Sequence, residues 1–183
     1  VHHHLAAGHL AEAEAAAEAM GDNAWRGHRD IVLALAEQVD VDGVLTRWRG
    51  VRPGKERNDA DRIRGTLVRA VGRRDGWRAA LELTADKRIG TRFRASAFSY
   101  LAGSGAVDEL RELFAGEAAG VLDGYSELSL LTHAIGIASA PAPRHDHPAL
   151  AEVLARIEAI DPTVDKATMR IRDSLLFECW YGT

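Results

Sequence analysis

At 183 residues the chain is long enough for one domain with a sizeable core and short for two. Its 46% hydrophobic and 27% charged residues are ordinary for a globular protein. No apolar stretch approaches the roughly 20 residues that span a bilayer. The single Cys179 excludes an internal disulfide framework and favours a reducing, cytoplasmic setting. The net charge of −4 hides an asymmetry: residues 47–94 hold 15 of the 23 basic residues against six acidic ones, a surplus of +9, which leaves −13 for the remainder. A bipolar chain of this kind suits an anion, an acidic peptide or the acidic part of a second copy of itself.

Val1 to Gly8 has no basic end followed by an apolar run, so no secretory leader is expected there. The stretch reads as the tail of a first helix whose beginning lies upstream, as in a fragment of a longer protein. His2-His3-His4 fits either a natural helix end or an expression tag. Ten helices are then predicted in chain order, at 10–20, 24–38, 41–49, 58–72, 76–86, 89–103, 106–116, 123–139, 147–160 and 164–181. Ile31, Leu35 and Val39 are four apart in the second. Ile63, Leu67, Ala70 and Val71 follow i, i+4, i+7, i+8 in the fourth, and Phe93, Ala97, Tyr100 and Leu101 repeat that pattern in the sixth. Leu128, Leu131 and Ile135 mark the eighth helix, and Ile171, Leu175 and Cys179 the last. No stretch alternates apolar and polar residues long enough to argue for a strand. The breaks are short: Gly21-Asp22-Asn23, Gly50 to Lys55, Gly72 to Asp75, Gly103 to Gly105, Gly116 to Asp123 and the Pro-rich Ala140 to Pro148. Asp22, Asn58, Asp75 and Asp123 stand where helix N-caps belong.

A short pattern recurs at about 30 to 40 residues. Its copies are Gly8-His9-Leu10-Ala11-Glu12-Ala13, Asp40-Val41-Asp42-Gly43-Val44, Asp75-Gly76-Trp77-Arg78-Ala79-Ala80 and Gly105-Ala106-Val107-Asp108-Glu109-Leu110. Shifting the chain by about 66 residues lays Leu35-Ala36 on Leu101-Ala102, Val41-Asp42 on Val107-Asp108 and Gly50 on Gly116, two hairpins per shift, as a solenoid requires. On these residues the chain resembles the tetratricopeptide (TPR) family, in which Gly closes the first helix of each hairpin and a small residue opens the second. Leu150 through Ile160-Asp161-Pro162 looks like a second helix with its closing proline. The small residue is replaced by Val44, Leu110 and Leu150 in three copies, so HEAT-like stacking stays open. The resemblance implies one all-α domain over 1–183, a right-handed α-α solenoid of about five helical hairpins.

Arg62, Arg69 and Arg73 are seven and four apart and share one face of helix 58–72, beside its apolar face. The TPR frame puts them in the concave groove, with Arg26 and Arg29 from helix 24–38 and Arg92 from helix 89–103. The resemblance implies that these six arginines clamp an acidic peptide or protein surface, since planar guanidinium groups bind carboxylates in pairs. The plainer alternative is a solvated Arg-rich surface paired with Asp30, Asp59, Asp61 and Asp86, in keeping with the high arginine and alanine content of a GC-rich, bacterial genome. Nucleic acid is a weaker reader of the same stripe, because the chain is acidic overall and aromatics are not interleaved with the arginines. Self-association is a further alternative.

No enzyme motif is present: there is no His-Glu-x-x-His, phosphate-cradling glycine loop or Gly-x-Ser-x-Gly. No cofactor or metal is expected, because His145-Asp146-His147 lacks a third ligand at useful spacing and reads as two solvated histidines. His28 and His133 should mark helix faces, and Cys179 a buried structural thiol. Trp77 should wedge between helices. Trp48 and Phe114, equivalent under the 66-residue shift, should both be core; Trp25 and Trp180 should be buried by default.

Overall fold

The computed structural model describes residues 1–47, 57–140 and 146–181, and every regular element among them is helical. The chain divides into two compact units, Val1–Ala97 and Phe98–Thr183. The first holds α1 (His2–Ala6), α2 (Leu10–Glu18), α3 (Ala24–Glu37), α4 (Val41–Arg47), α5 (Arg57–Asp75) and α6 (Trp77–Thr84), with 3-10 turns at Gly21–Asn23 and Thr91–Ala97. The second holds α7 (Ser99–Gly103), α8 (Val107–Ala115), α9 (Gly124–Ser139), α10 (Leu150–Glu158) and α11 (Lys166–Tyr181). Packing runs between sequence neighbours. In the first unit α1 packs on α2, α3 on α4 and α5 on α6, while α3 also touches α1 and α5. In the second, α9 touches α7, α8, α10 and α11.

Three of the four pattern copies are one hydrogen-bonded device. After α1, the Gly8 N–H donates to Leu5 O and the His9 N–H to His4 O. After α3, Val39 donates to Ala36 O and Asp40 to Leu35 O; after α7, Gly105 donates to Ala102 O and Ala106 to Leu101 O. Each is a paired closure of the last helical turn, with its pivot residue in the left-handed region: Gly8 at φ 75°, Val39 at 60°, Gly105 at 73°. The next residue, His9, Asp40 or Ala106, immediately precedes the following helix. The fourth copy works differently. Helix α5 runs through Asp75, and Gly76 alone, at φ 90°, turns the chain into α6.

Val39 is the misfit in this series, a β-branched side chain where glycine stands in the sister links. Left-handed geometry costs a side chain of this kind roughly 1–2 kcal/mol. Val39→Gly is therefore expected to stabilise the protein by about 1 kcal/mol, net of the lost half-buried contact, read as a higher urea midpoint at unchanged slope.

The predicted cores largely match. Ile31, Leu35, Ile63, Leu67 and Val71 are buried in the first unit, and Leu101, Phe114, Leu128, Leu131, Ile135 and Cys179 in the second. Several expectations are corrected. The helix predicted at 89–103 is a 3-10 segment at 91–97, followed by the one-turn α7. Phe93 and Ser96 both lie near Gly65 of α5, where a Cβ would sit 3.6 Å from the Ser96 Oγ and 3.8 Å from the Phe93 ring. Residues three apart align in a 3-10 coil, and so both meet that smooth patch. Ile171 is exposed, because α11 buries the row Thr168, Leu175 and Cys179 instead. Of the four predicted caps, only Asp123 accepts a capping bond at the start of its helix, from the Ser126 N–H at 2.9 Å. Asp22 lies inside the first 3-10 turn, Asp75 ends α5 paired with Arg74, and Asn58 lies within α5. The caps on α4 and α11 are Asp40, accepting from Gly43 N, and Asp165, accepting from Ala167 N and Thr168 N.

His147 is half-buried, and its Nδ1 accepts from Ala149 N, so it forms part of the turn into α10 instead of standing solvated. Trp25 and Trp77 are half-buried. Trp48, His145 and the side chain of Trp180 lie outside the described residues, as does the break at Gly50 to Lys55.

Candidate arginine-lined cleft

The first unit brings α1, α3 and α5 around a cleft of about 360 Å³. Leu5, Leu33 and Ala34 supply its apolar part, and its ionisable groups are His2, Arg29, Asp30, Glu37 and Arg62. Two of the six arginines read from the sequence therefore meet here. Arg29 projects from α3 beside Asp30 and donates to its Oδ1 through both Nε, at 3.0 Å, and an Nη, at 2.8 Å. The His2 Nε2 reaches the other oxygen of Asp30 at 3.3 Å. Arg62 is exposed and has no hydrogen-bond or ion-pair partner among the described residues.

From Arg62 the basic row continues along α5. That helix is unbroken from Arg57 to Asp75, so spacings of seven and four place Arg62, Arg69 and Arg73 within about 40° of one another around the axis. The opposite side carries Ile63, Leu67, Val68 and Val71, all buried. The row is thus presented to solvent by the burial of α5 itself. Arg69 makes only a 3.3 Å contact to the Thr66 hydroxyl, and Arg73 has no polar partner among the described residues. Three guanidinium groups on one face, none paired with a carboxylate among the described residues, form a strip of positive potential whose donors can meet carboxylates.

The other two arginines stand apart. Arg26 is exposed at the start of α3, with its guanidinium 5.2 Å from the Trp25 ring; that of Arg29 is 5.8 Å from the same ring. Stacking of this kind holds the cations in place without consuming their N–H donors. Arg92 is not in the row. It pairs with Asp61, which precedes Arg62 and so lies about 100° around the helix, and its guanidinium stands 4.9 Å from the Phe93 ring. The 3-10 geometry of 91–97 takes Arg92 to that side of α5. Asp61 also pairs with Arg64, whose Nε donates to Arg88 O at 2.7 Å. Burial, and then the neighbouring Arg92, pull the Arg64 guanidinium below its usual pKa.

Part of the expected surface pairing is present too: Asp30 pairs with Arg29, Asp61 with Arg92 and Asp86 with Arg88, while the side chain of Asp59 lies outside the described residues. Hydrogen bonds from the Arg88 side chain and backbone hold the Asp86 carboxyl down at a pKa of about 2. The arginines thus fall into two classes. Arg29, Arg88 and Arg92 are occupied by neighbouring carboxylates, whereas Arg62, Arg69 and Arg73 pair with none among the described residues. Of the acidic and imidazole groups of the cleft, Asp30 was expected from sequence as an arginine partner, whereas Glu37 and His2 were missed. The i, i+7 spacing of Asp30 and Glu37 on α3 was the available signal, but only the approach of α1 and α5 gives it meaning.

No helix among the described residues is long and apolar enough to cross a membrane. No protein-family model matches this chain, and no curated protein or solved structure matches it either.

Proposed function

We propose that the chain is a non-enzymatic cytoplasmic scaffold of stacked TPR-like helical hairpins, and that it accepts an acidic peptide segment or protein surface along Arg62, Arg69 and Arg73, with Arg26 and the Asp30-paired Arg29 at the edge. The observation that carries this reading is the row Arg62, Arg69 and Arg73. It begins in the cleft shared by α1, α3 and α5 and is free of intramolecular carboxylates among the described residues. The recurrence of one link geometry after α1, α3 and α7, and the neighbour-to-neighbour packing in each unit, support the hairpin-repeat part of the proposal.

An extended acidic segment laid across α5 would place carboxylates near Arg69 and Arg73 while its end enters the cleft beside Arg62. The apolar wall of Leu5, Leu33 and Ala34 suits an aliphatic side chain next to the acidic residues. Binding should weaken with salt, because exposed charges are screened within about 8–10 Å at ordinary ionic strength. The double variant Arg69→Glu/Arg73→Glu is expected to weaken the binding of a glutamate-rich peptide by more than about tenfold, from two lost charge-assisted contacts and the added repulsion. Its far-ultraviolet circular dichroism should match the parent, since both side chains are exposed. Unchanged affinity in a folded double variant refutes the assignment. Tighter binding of random oligonucleotides than of acidic peptide at physiological salt would transfer the row to nucleic acid.

A further inference from the structure

The second unit holds a larger cleft of a different character, about 460 Å³, where the start of α9, the end of α10 and the approach to α11 come together. Its walls are apolar: Tyr125, Leu128, Ile160 and Val164. Leu128 is buried, Tyr125 and Ile160 are half-buried, and Val164 is 68% exposed. The residues 98–183 carry 13 acidic against six basic side chains, a net of −7.

The charged groups at the cleft divide in a way that sets its sign. Arg156 lines it, but an Nη of Arg156 donates to the Glu127 carboxylate at 3.0 Å, so that cation is already neutralised. Asp123 and Asp161 line it as well, and both are exposed. Neither has an ion-pair partner among the described residues. Their fixed contacts are with neutral donors: Asp123 accepts from the Ser126 N–H and hydroxyl, Asp161 from the Thr163 N–H and hydroxyl. These donors hold both carboxyls below their usual pKa and hence ionised at neutral pH. The cleft thus presents an apolar interior with two unneutralised carboxylates at its rim.

From this arrangement we infer that the α9–α10–α11 cleft docks a basic peptide segment, with one large apolar side chain seated against Tyr125, Leu128, Ile160 and Val164 and flanking lysine or arginine residues meeting Asp123 and Asp161. The exposure of Val164 and of both carboxylates leaves the cleft open along one side. That suits a peptide crossing the surface better than an enclosed small molecule, whose polar partners would be buried. A large apolar anchor in the pocket with cations at the polar rim is the usual division of labour in such contacts. The site is independent of the arginine row proposed above, and its ligand carries the opposite charge.

The test uses the full chain and three labelled, capped hexapeptides, Lys-Lys-Trp-Leu-Lys-Lys, Lys-Lys-Ser-Ser-Lys-Lys and Glu-Glu-Trp-Leu-Glu-Glu, followed by fluorescence anisotropy. The first should bind saturably and the second at least about tenfold more weakly. The Glu-rich peptide should be insensitive to variants of this cleft. Val164→Lys, at an exposed position, should reduce the affinity of the first peptide at least about fivefold. Asp123→Asn/Asp161→Asn should do the same while keeping both turns, because asparagine caps as well as aspartate. Failure of the first peptide to bind, equal binding of the serine peptide, or indifference to either variant would overturn the inference.

Discussion

Phe98→Ala is expected to destabilise the second unit by about 3–5 kcal/mol, the usual cost of emptying a fully buried aromatic site. Phe98 is completely buried, and its ring meets that of Phe114 edge to face, with centroids 5.3 Å apart and planes at 69°. It also immediately precedes α7, and its carbonyl accepts from the N–H groups of Leu101 and Ala102. A helix of five residues has little stability of its own, so α7 depends on what it packs against. Losing the ring removes both the buried area and the wedge between α7 and α8. Urea denaturation of Phe98→Ala, Phe114→Ala and the double variant measures the coupling, expected at about 0.5–1.5 kcal/mol beyond burial. Additive effects would mean that the two rings are only neighbours in a common core.

Gly27→Ala is expected to destabilise the first unit by about 2 kcal/mol, although alanine is the better helix former by about 1 kcal/mol. Helices α2 and α3 approach so closely at this point that an added Cβ would lie 2.5 Å from the Ala17 Cβ and 2.9 Å from its Cα. The Ala17 Cβ is fixed directly to its backbone and has no rotamer to change, so the two helices must part. Ala13 and Ala17, both completely buried, are the matching small residues of α2. The control is Gly103→Ala, where an added Cβ meets nothing within 4 Å and the helix preference alone should act. Stability losses of equal size at both glycines would show that close packing of α2 on α3 is not the cause.

Helix positions were legible at most places where an apolar stripe recurred at helical spacing, because burial of one face both creates the pattern and forms the helix. Helices α3, α5 and α9 follow from Ile31 and Leu35, from Ile63, Leu67 and Val71, and from Leu128, Leu131 and Ile135. The same logic failed at 91–97, where the 3-10 coil depends on the bare Gly65 surface of another helix. It failed again on α11, where Thr168 is buried in the row and Ile171 is not. Caps were legible at Asp123, which lies between a loop and a helix. They were not at Asp75, because α5 continues to the residue before Gly76. At the site, spacing on one helix sufficed for Arg62, Arg69 and Arg73. Arg92 joins them only in the TPR frame, which takes residues 89–103 as one straight helix, and the 3-10 segment at 91–97 departs from it. The carboxylates and imidazole of the cleft come from α1 and α3 meeting α5, a tertiary arrangement that no local pattern encodes.

The row on α5 and the adjoining cleft are proposed to receive acidic groups from a partner. This is tested most directly by following the arginine Nε–Hε resonances while a glutamate-rich peptide is titrated into the protein at low salt. Progressive shifts are expected at Arg62, Arg69 and Arg73, and none at Arg29, Arg88 or Arg92, whose guanidinium groups Asp30, Asp86 and Asp61 already occupy. Shifts centred on Arg88 and Arg92, or spread evenly over all the arginines, would contradict the proposal.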